Sequence, residues 1–462
     1  MSEPFTPSEP SVSPAPQEPV ASRRSVLRFG AWSALSAAVA ACGGENDEPD
    51  AHGVRIGTGG RPAAVGGAPG VGQNVAGAGG ANGGAPGALP PLPDFNALTA
   101  VKRLPDPFKL LSGSRMSTKD QWSRRRAEIK ALAEKYVYGA KPPRPANVAA
   151  SLTGTKLSIT CTEGGKAITF SVTVYKPSGA AGASPALIGI GGSSLGGVPS
   201  GIGSITFDNA GLAQPTSSGT PKGAFYDLYG TGAAGTSPAM AWAWGVSRII
   251  DALEQVDTGI DPARLGVTGC ARNGVGALVA GVWDDRLALV IPQESGVGGV
   301  GCFRVAEQEN SDHGSKAVQT ASEIASELGS GFQPFVGKNL DKLPLDQHEI
   351  IAARAPLPIL IIENSAQLWL GPRACYAGCM GAAAVWQALG QADKLGLSQY
   401  GDGAFCAFQT QNSGQHVTVF CRRYLLDDTS VDTSVVGLAS DGKNDANKDC
   451  GVWLDWTLPA LG

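Results

Sequence analysis

Arg264-Leu265-Gly266-Val267-Thr268-Gly269-Cys270-Ala271-Arg272-Asn273-Gly274-Val275-Gly276 is the stretch on which the fold is decided. Its first half, Arg264 to Gly269, is a short apolar and β-branched run that reads as a buried strand. Residues Ala271 to Trp283 read as a helix that starts at once. Glycines flank the junction, so the chain must reverse tightly between strand and helix. That is the layout of a nucleophile elbow, in which a strained residue is lifted to the top of a sheet beside a helix N-terminus. A helix end placed there can stabilise an oxyanion.

The neighbouring segments extend the same architecture. Ala186-Leu187-Ile188-Gly189-Ile190 is a buried strand that ends in Gly191-Gly192, where backbone can approach a site closely. Ala239 to Val256 is predicted helical, with Trp242, Val246, Ile249, Ile250 and Leu253 on one face. Leu287–Pro292 and Leu357–Glu363 read as further buried strands, and Leu152–Thr160 and Ile168–Tyr175 as strands nearer the N-terminus. Lys119 to Tyr138 reads as a helix with one buried face. Strands alternating with helices predict an α/β fold: a mostly parallel sheet sandwiched by helices, with its site at the carboxyl ends of the strands.

The chain has 462 residues, 64 of them glycine, and a net charge of −4. Beyond the first 30 residues the longest basic run is the triplet Arg124-Arg125-Arg126, and the overall balance is acidic, which argues against a nucleic-acid partner. Residues 43–93 are rich in Gly and Pro and poor in large apolar side chains. They cannot bury enough surface to offset the entropy of ordering. This stretch reads as a flexible tether whose ends lie roughly 40 Å apart. Residues 94–462 then suffice for one large domain.

Residues 1–42 read as a leader. Ser22-Arg23-Arg24-Ser25-Val26-Leu27-Arg28 has a bacterial twin-arginine pattern, and the apolar stretch Phe29–Ala41 is too short to span a bilayer. Val39-Ala40-Ala41-Cys42 has the form of a lipobox. These features predict export and a membrane-anchored lipoprotein, lipidated at Cys42, with Gly43 favouring the outer membrane and a periplasmic or cell-surface domain. The chain has nine cysteines; without Cys42, eight remain in a compartment that permits disulfides.

The elbow Gly269 to Gly276 resembles that of the glucuronoyl esterases, carbohydrate esterases of the α/β-hydrolase superfamily that cleave esters between glucuronic acid on xylan and lignin alcohols. Their elbow reads G-C-S-R-N-G-K-G. This chain matches at Gly269, Cys270, Arg272, Asn273, Gly274 and Gly276, and departs at Ala271 and Val275. Further matching segments are Leu104-Pro105-Asp106-Pro107-Phe108, Phe225 to Gly230, Trp242 to Arg248, Ile291 to Gly296 and Trp369-Leu370-Gly371-Pro372. The resemblance implies an α/β-hydrolase fold and a carboxylic ester hydrolase scaffold that needs neither metal nor cofactor.

Carried across residue by residue, the resemblance gives Glu294 as the acidic triad member and Arg272 as an oxyanion contributor. The nucleophile position is Ala271 and the base position is Phe405. The sugar-contacting positions are Gln319, Glu327 and Trp369, with Val275 where the family has lysine. The resemblance also pairs Cys270 with Cys406 and Cys302 with Cys379, leaving Cys161, Cys375, Cys421 and Cys450 unassigned. Ester cleavage by this route needs an oxygen nucleophile, a base to take its proton and a carboxylate to orient the base. Alanine offers no lone pair, and phenylalanine accepts no proton.

Three readings follow. The chain is a catalytically inactive binder of glucuronoxylan or another acidic glycan; an ester hydrolase with altered machinery, using a histidine such as His416; or an envelope protein that keeps only the fold. Each retained residue also has a structural reading. Trp369 can be a packing aromatic, Gln319 and Glu327 polar helix positions, and Glu294 a partner for Arg272.

Overall fold

The computed structural model describes residues 89–215, 221–233, 235–401, 404–407, 411–442 and 450–462. The expected leader, Cys42 and nearly all of the glycine-rich stretch lie outside the described residues.

The strands are β1 (Asn147–Thr153), β2 (Lys156–Glu163), β3 (Lys166–Tyr175), β4 (Ser184–Ile190), β5 (Gly203–Phe207), β6 (Ile260–Cys270), β7 (Leu287–Gln293), β8 (Ile359–Glu363), β9 (Leu395–Gln399) and β10 (Leu438–Ser440). Among the described residues they form one sheet in the order β1-β2-β3-β5-β4-β6-β7-β8-β9-β10. The pairs β1/β2, β2/β3 and β3/β5 are antiparallel. From β5 onward every pairing is parallel. The mostly parallel sheet expected from the sequence is therefore present.

The expected strand Leu152–Thr160 is corrected to a hairpin. Thr153 pairs with Lys156 across a two-residue turn, and Gly154 there takes φ +60°, a backbone region that suits glycine. Thr153 therefore ends one strand and Lys156 opens the next. Strand β5, with its alternating burial, lies between β3 and β4.

Helices cover both faces. They are α1 (Gln121–Ala133), α2 (Ala224–Tyr229), α3 (Pro238–Leu253), α4 (Arg272–Trp283), α5 (Phe303–Asp312), α6 (Ala321–Ile324), α7 (Gln347–Ala352), α8 (Pro372–Ala388) and α9 (Gln411–Tyr424). Beyond α1 the chain continues as a wider π-type turn over Glu134–Tyr138. Successive side chains of the central strands leave on opposite sides. Ile188, Ile190, Val290, Ile359 and Ile361 join the larger core with α3 and α4. Leu187, Leu289, Ile291, Leu360 and Ile362 join the core under α9, with Val417, Phe420 and Leu425. A strand buried on both faces reads as a continuous apolar run, which is why β4 and β8 were legible.

Helix α3 is buried around its whole circumference, not only on the expected face. Ser237 caps it by accepting from the Met240 N–H, and Pro238 occupies the first turn. A buried ion pair fixes the long connection from β7 to β8. The Asp346 carboxylate accepts from the Phe303 N–H at 2.8 Å and from Arg304 Nη1 at 2.9 Å, and it caps α7 through the Gln347 N–H. Such a charge-assisted network is costly to break from one side. It anchors the segment that supplies one wall of the cleft described next.

Candidate functional site

Strand β6 delivers Ala271 to the top of the sheet, and α4 begins at the following residue. Ala271 has φ 59° and ψ −126°, a conformation that is strained for a residue with a side chain. Its neighbours hold it there. The Ala271 N–H donates to the Gln293 carbonyl at 3.1 Å, and the Ala271 carbonyl accepts from the Val275 N–H at 3.1 Å. A Cβ at Gly269 would stand 2.4 Å from the Asn273 carbonyl oxygen, and one at Gly274 would stand 2.5 Å from the Gln293 carbonyl oxygen. Only glycine fits at either place, so the turn needs both. Asn273 is held in turn by Asn209, whose Nδ2 donates to Asn273 Oδ1 at 2.9 Å.

Glu294 follows the last residue of β7 and is buried, with φ 44°. Its Oε2 accepts from the Cys406 backbone N–H at 3.0 Å. Cys406 is bonded to Cys270, with a Cα–Cα distance of 5.8 Å across 136 residues of sequence. One expected disulfide is thus present, and it fastens the segment bearing Phe405 to the elbow. The sulfurs of this bridge and the Glu294 carboxylate lie within 4.8 Å of one another. Disulfide sulfurs are not thiolates, so this grouping is not a thiolate metal site as it stands.

A second acid, Glu363, sits at the end of β8 and is also buried. Its Oε1 accepts from the Ser295 N–H at 2.9 Å and from the Ser295 hydroxyl at 3.1 Å. Burial first, and then the nearby Glu294 charge, push its carboxyl up to about 8. The sequence reading did not single out this residue. An acid that closes an apolar strand at the carboxyl edge of a parallel sheet was the signal available.

A cleft of about 580 Å³ opens over the elbow. Ala271, Arg272, Val275, Glu294, Gln319, Glu327, Trp369 and Phe405 all line it, so the structure brings together the eight triad, oxyanion and sugar-contact positions carried over from the resemblance. Phe405 does not seal it. The Phe405 ring meets Trp369 edge to face, with centroids 4.8 Å apart and planes at 67°, and both rings stay partly exposed, at 38% and 36%. Trp369 Nε1 donates to Gln367 Oε1 at 3.0 Å, and its carbonyl accepts from the Gln319 N–H at 2.8 Å. Arg272 reaches Glu327 at 2.6 Å, where the sequence had suggested Glu294 as its partner.

A family model described as "Glucuronyl esterase, fungi" matches residues 159–390. The 4-O-methyl-glucuronoyl methylesterase of Hypocrea jecorina is 41% identical over 377 residues, which are 80% of this chain and 78% of that protein. The chain belongs to the glucuronoyl esterase family. Solved members of that family share the fold. The catalytic domain of the Hypocrea jecorina glucuronoyl esterase matches with a TM-score of 0.72 at 40% identity, covering 82% of this chain and 100% of its own. A serine-to-alanine mutant of the Sporotrichum thermophile glucuronoyl esterase, in complex with methyl 4-O-methyl-β-D-glucopyranuronate, matches with a TM-score of 0.72 at 37% identity, covering 79% and 97%.

The comparison corrects the localisation expected from the leader. The curated glucuronoyl esterase relatives come from fungi such as Hypocrea jecorina and Phanerochaete chrysosporium, whereas the leader was read as that of a bacterial membrane-anchored lipoprotein. Among the described residues, no helix is long and apolar enough to cross a membrane.

A second correction concerns the disulfides. Cys302 and Cys379 are separate buried thiols here, not the second bridge that the glucuronoyl esterase resemblance implied. Cys302 faces α8 at Gly378, beside Cys379. Burial pushes both thiols well above their ordinary range, and disulfide formation proceeds through a thiolate.

No histidine lines the described wall of the cleft. His416 lies on α9, where its Nδ1 is 2.9 Å from the Ser398 hydroxyl, and burial lowers its pKa. His348 is buried in α7, with Nε2 2.7 Å from the Pro105 carbonyl, and burial pushes it down to about 4. His313 is exposed at the end of α5.

Proposed function

We propose that this chain is a glucuronoyl esterase homologue that holds a uronoyl sugar of xylan-type glycan in its cleft without cleaving ester bonds through the elbow. The observation that carries this reading is Ala271, set in the strained turn at the head of α4 with no side-chain atom able to attack a carbonyl. Phe405 at the base position removes the proton acceptor as well. The open cleft supports retention of a ligand. Gln319, Glu327 and Trp369 stand around it, and a solved relative carrying alanine in place of a serine was captured with a methyl glucuronate ester. Hydrolysis through His416 is not favoured, because that ring is engaged with Ser398 and does not line the cleft.

The test combines an assay with a titration. Methyl 4-O-methyl-glucopyranuronate incubated with the full chain is expected to show hydrolysis at the buffer rate. Titration with that ester, or with xylo-oligosaccharides bearing 4-O-methyl-glucuronate, is expected to shift cleft resonances at millimolar ligand. Enzyme-dependent turnover overturns the non-catalytic reading. Absence of binding by every uronoyl ligand overturns the binding reading.

A further inference from the structure

The charge lining the cleft bears on which form of uronoyl ligand it takes. Among the described residues of its wall, the charged side chains are Arg272, Glu294 and Glu327: one cation and two carboxylates. The cation is already engaged, with Arg272 Nη2 2.6 Å from Glu327 Oε1. A carboxylate entering the cleft therefore meets a wall of net negative charge and no uncommitted cation among the described residues. It would face two carboxylates against one cation, a repulsion felt more strongly in a partly enclosed, low-dielectric space than in water.

The rest of the wall is suited to an uncharged ligand. Ala271, Val275, Val297 and Leu328 present only carbon, and the Phe405–Trp369 pair offers two partly exposed aromatic rings. An ester of a uronic acid carries no charge. Its carbonyl oxygen can accept from backbone N–H groups at the start of α4. Its apolar ring face and alcohol carbons can lie against the aromatic pair.

We propose that the cleft discriminates by charge, taking the uncharged ester of a uronoyl sugar and rejecting the free uronate. This rests on the reading of the cleft as a uronoyl-binding site. Val275 and Glu327 set the preference: the first supplies no positive charge, and the second occupies the one cation.

The experiment is a pair of titrations on the full chain at pH 7 and low salt, with methyl 4-O-methyl-glucopyranuronate and with the corresponding free acid. The ester is expected to bind about tenfold more tightly. Added salt should narrow that gap by screening the repulsion felt by the acid. Val275→Lys, which places a cation in the wall, should raise the affinity for the acid relative to the ester about tenfold. If that variant fails to fold, Glu327→Gln tests the same point, since it removes one carboxylate and frees Arg272. Equal or tighter binding of the free acid by the unmodified chain overturns the charge discrimination while leaving the binding reading intact. Failure of both ligands to bind overturns both.

Discussion

Arg272 and Glu327 join the first residue of α4 to the segment Ala325–Glu327, with Nη2 and Oε1 2.6 Å apart. A cation at the start of a helix is opposed by the helix dipole, so this arginine is held in place by its partner and not by its own helix. The guanidinium is 62% exposed and the carboxylate 27% exposed, which keeps the pair weak as a source of stability. Glu327→Gln is therefore expected to lower unfolding stability by no more than about 1 kcal/mol. Its larger effect should be on ligand choice, through tighter binding of free uronate by the released guanidinium. Thermal melts and titration of the purified variant check both. A stability loss several times larger would assign the pair to scaffolding.

The second prediction concerns the two positions that carry carbon where the family chemistry needs oxygen and nitrogen. Ala271→Ser adds one oxygen to a backbone already in the strained conformation, so the elbow need not rearrange. Phe405→His puts an imidazole beside Cys406, whose N–H already binds Glu294, so the orienting acid is close at hand. Each single variant should stay near the buffer rate in a methyl glucuronate hydrolysis assay, because loss of either the serine or the histidine of such a triad costs on the order of 10⁶ in kcat. The double variant should be the first to hydrolyse ester above background. An equal rate for all four proteins would show that more than these two side chains separates the cleft from catalysis.

The elbow was legible because its requirements are local. Gly269 and Gly274 are needed within a few residues of the turn they permit, and β6 is apolar along the run that enters it. The cleft positions were legible as a family pattern, and all eight meet in space. What escaped was set by distant contacts. Strand β9, Leu395 to Gln399, is five residues with a glycine and two buried polar side chains, and it is a strand because β8 and β10 flank it. Glu363 ends an apolar run like many exposed residues do, and only its burial against Ser295 and Glu294 makes it unusual. The choice of Glu327 over Glu294 by Arg272 depends on how residues 55 and 22 positions away are folded back, which no periodicity records. Cys302 and Cys379 are neighbours as the resemblance implied, yet remain separate thiols in a closed core.

The Cys270–Cys406 bridge predicts coupled losses of stability and binding. It closes a loop across 136 residues, and removing a constraint of that kind costs about 2–4 kcal/mol. Cys270→Ser combined with Cys406→Ser should therefore lower the unfolding midpoint in denaturant. It should also weaken ester binding, because Phe405 precedes Cys406 and would no longer be tethered against Trp369. Equilibrium unfolding and ligand titration of the double variant, set against the unmodified chain, separate the two effects. A stability loss with unchanged affinity would show that the aromatic pair holds without the bridge.

Glu363 makes the stability of the fold depend on pH in a direction opposite to that of a salt-bridged acid. Its ordinary value is 4.5, and burial with the adjacent Glu294 charge pushes it up to about 8 in the folded chain. Between those values the folded protein keeps a proton that the unfolded chain has released. Stability from this group is then full below about pH 4.5 and is lost as pH rises through about 8. Glu363→Gln imitates the protonated acid and keeps an oxygen able to accept from the Ser295 N–H and hydroxyl. The variant should melt close to the unmodified protein near pH 5 and several degrees above it at pH 9, so that its melting temperature is the flatter function of pH. Scanning calorimetry across that range decides the matter: if the two curves run parallel up to pH 9, Glu363 is ionised in the fold and its burial is relieved by some other contact.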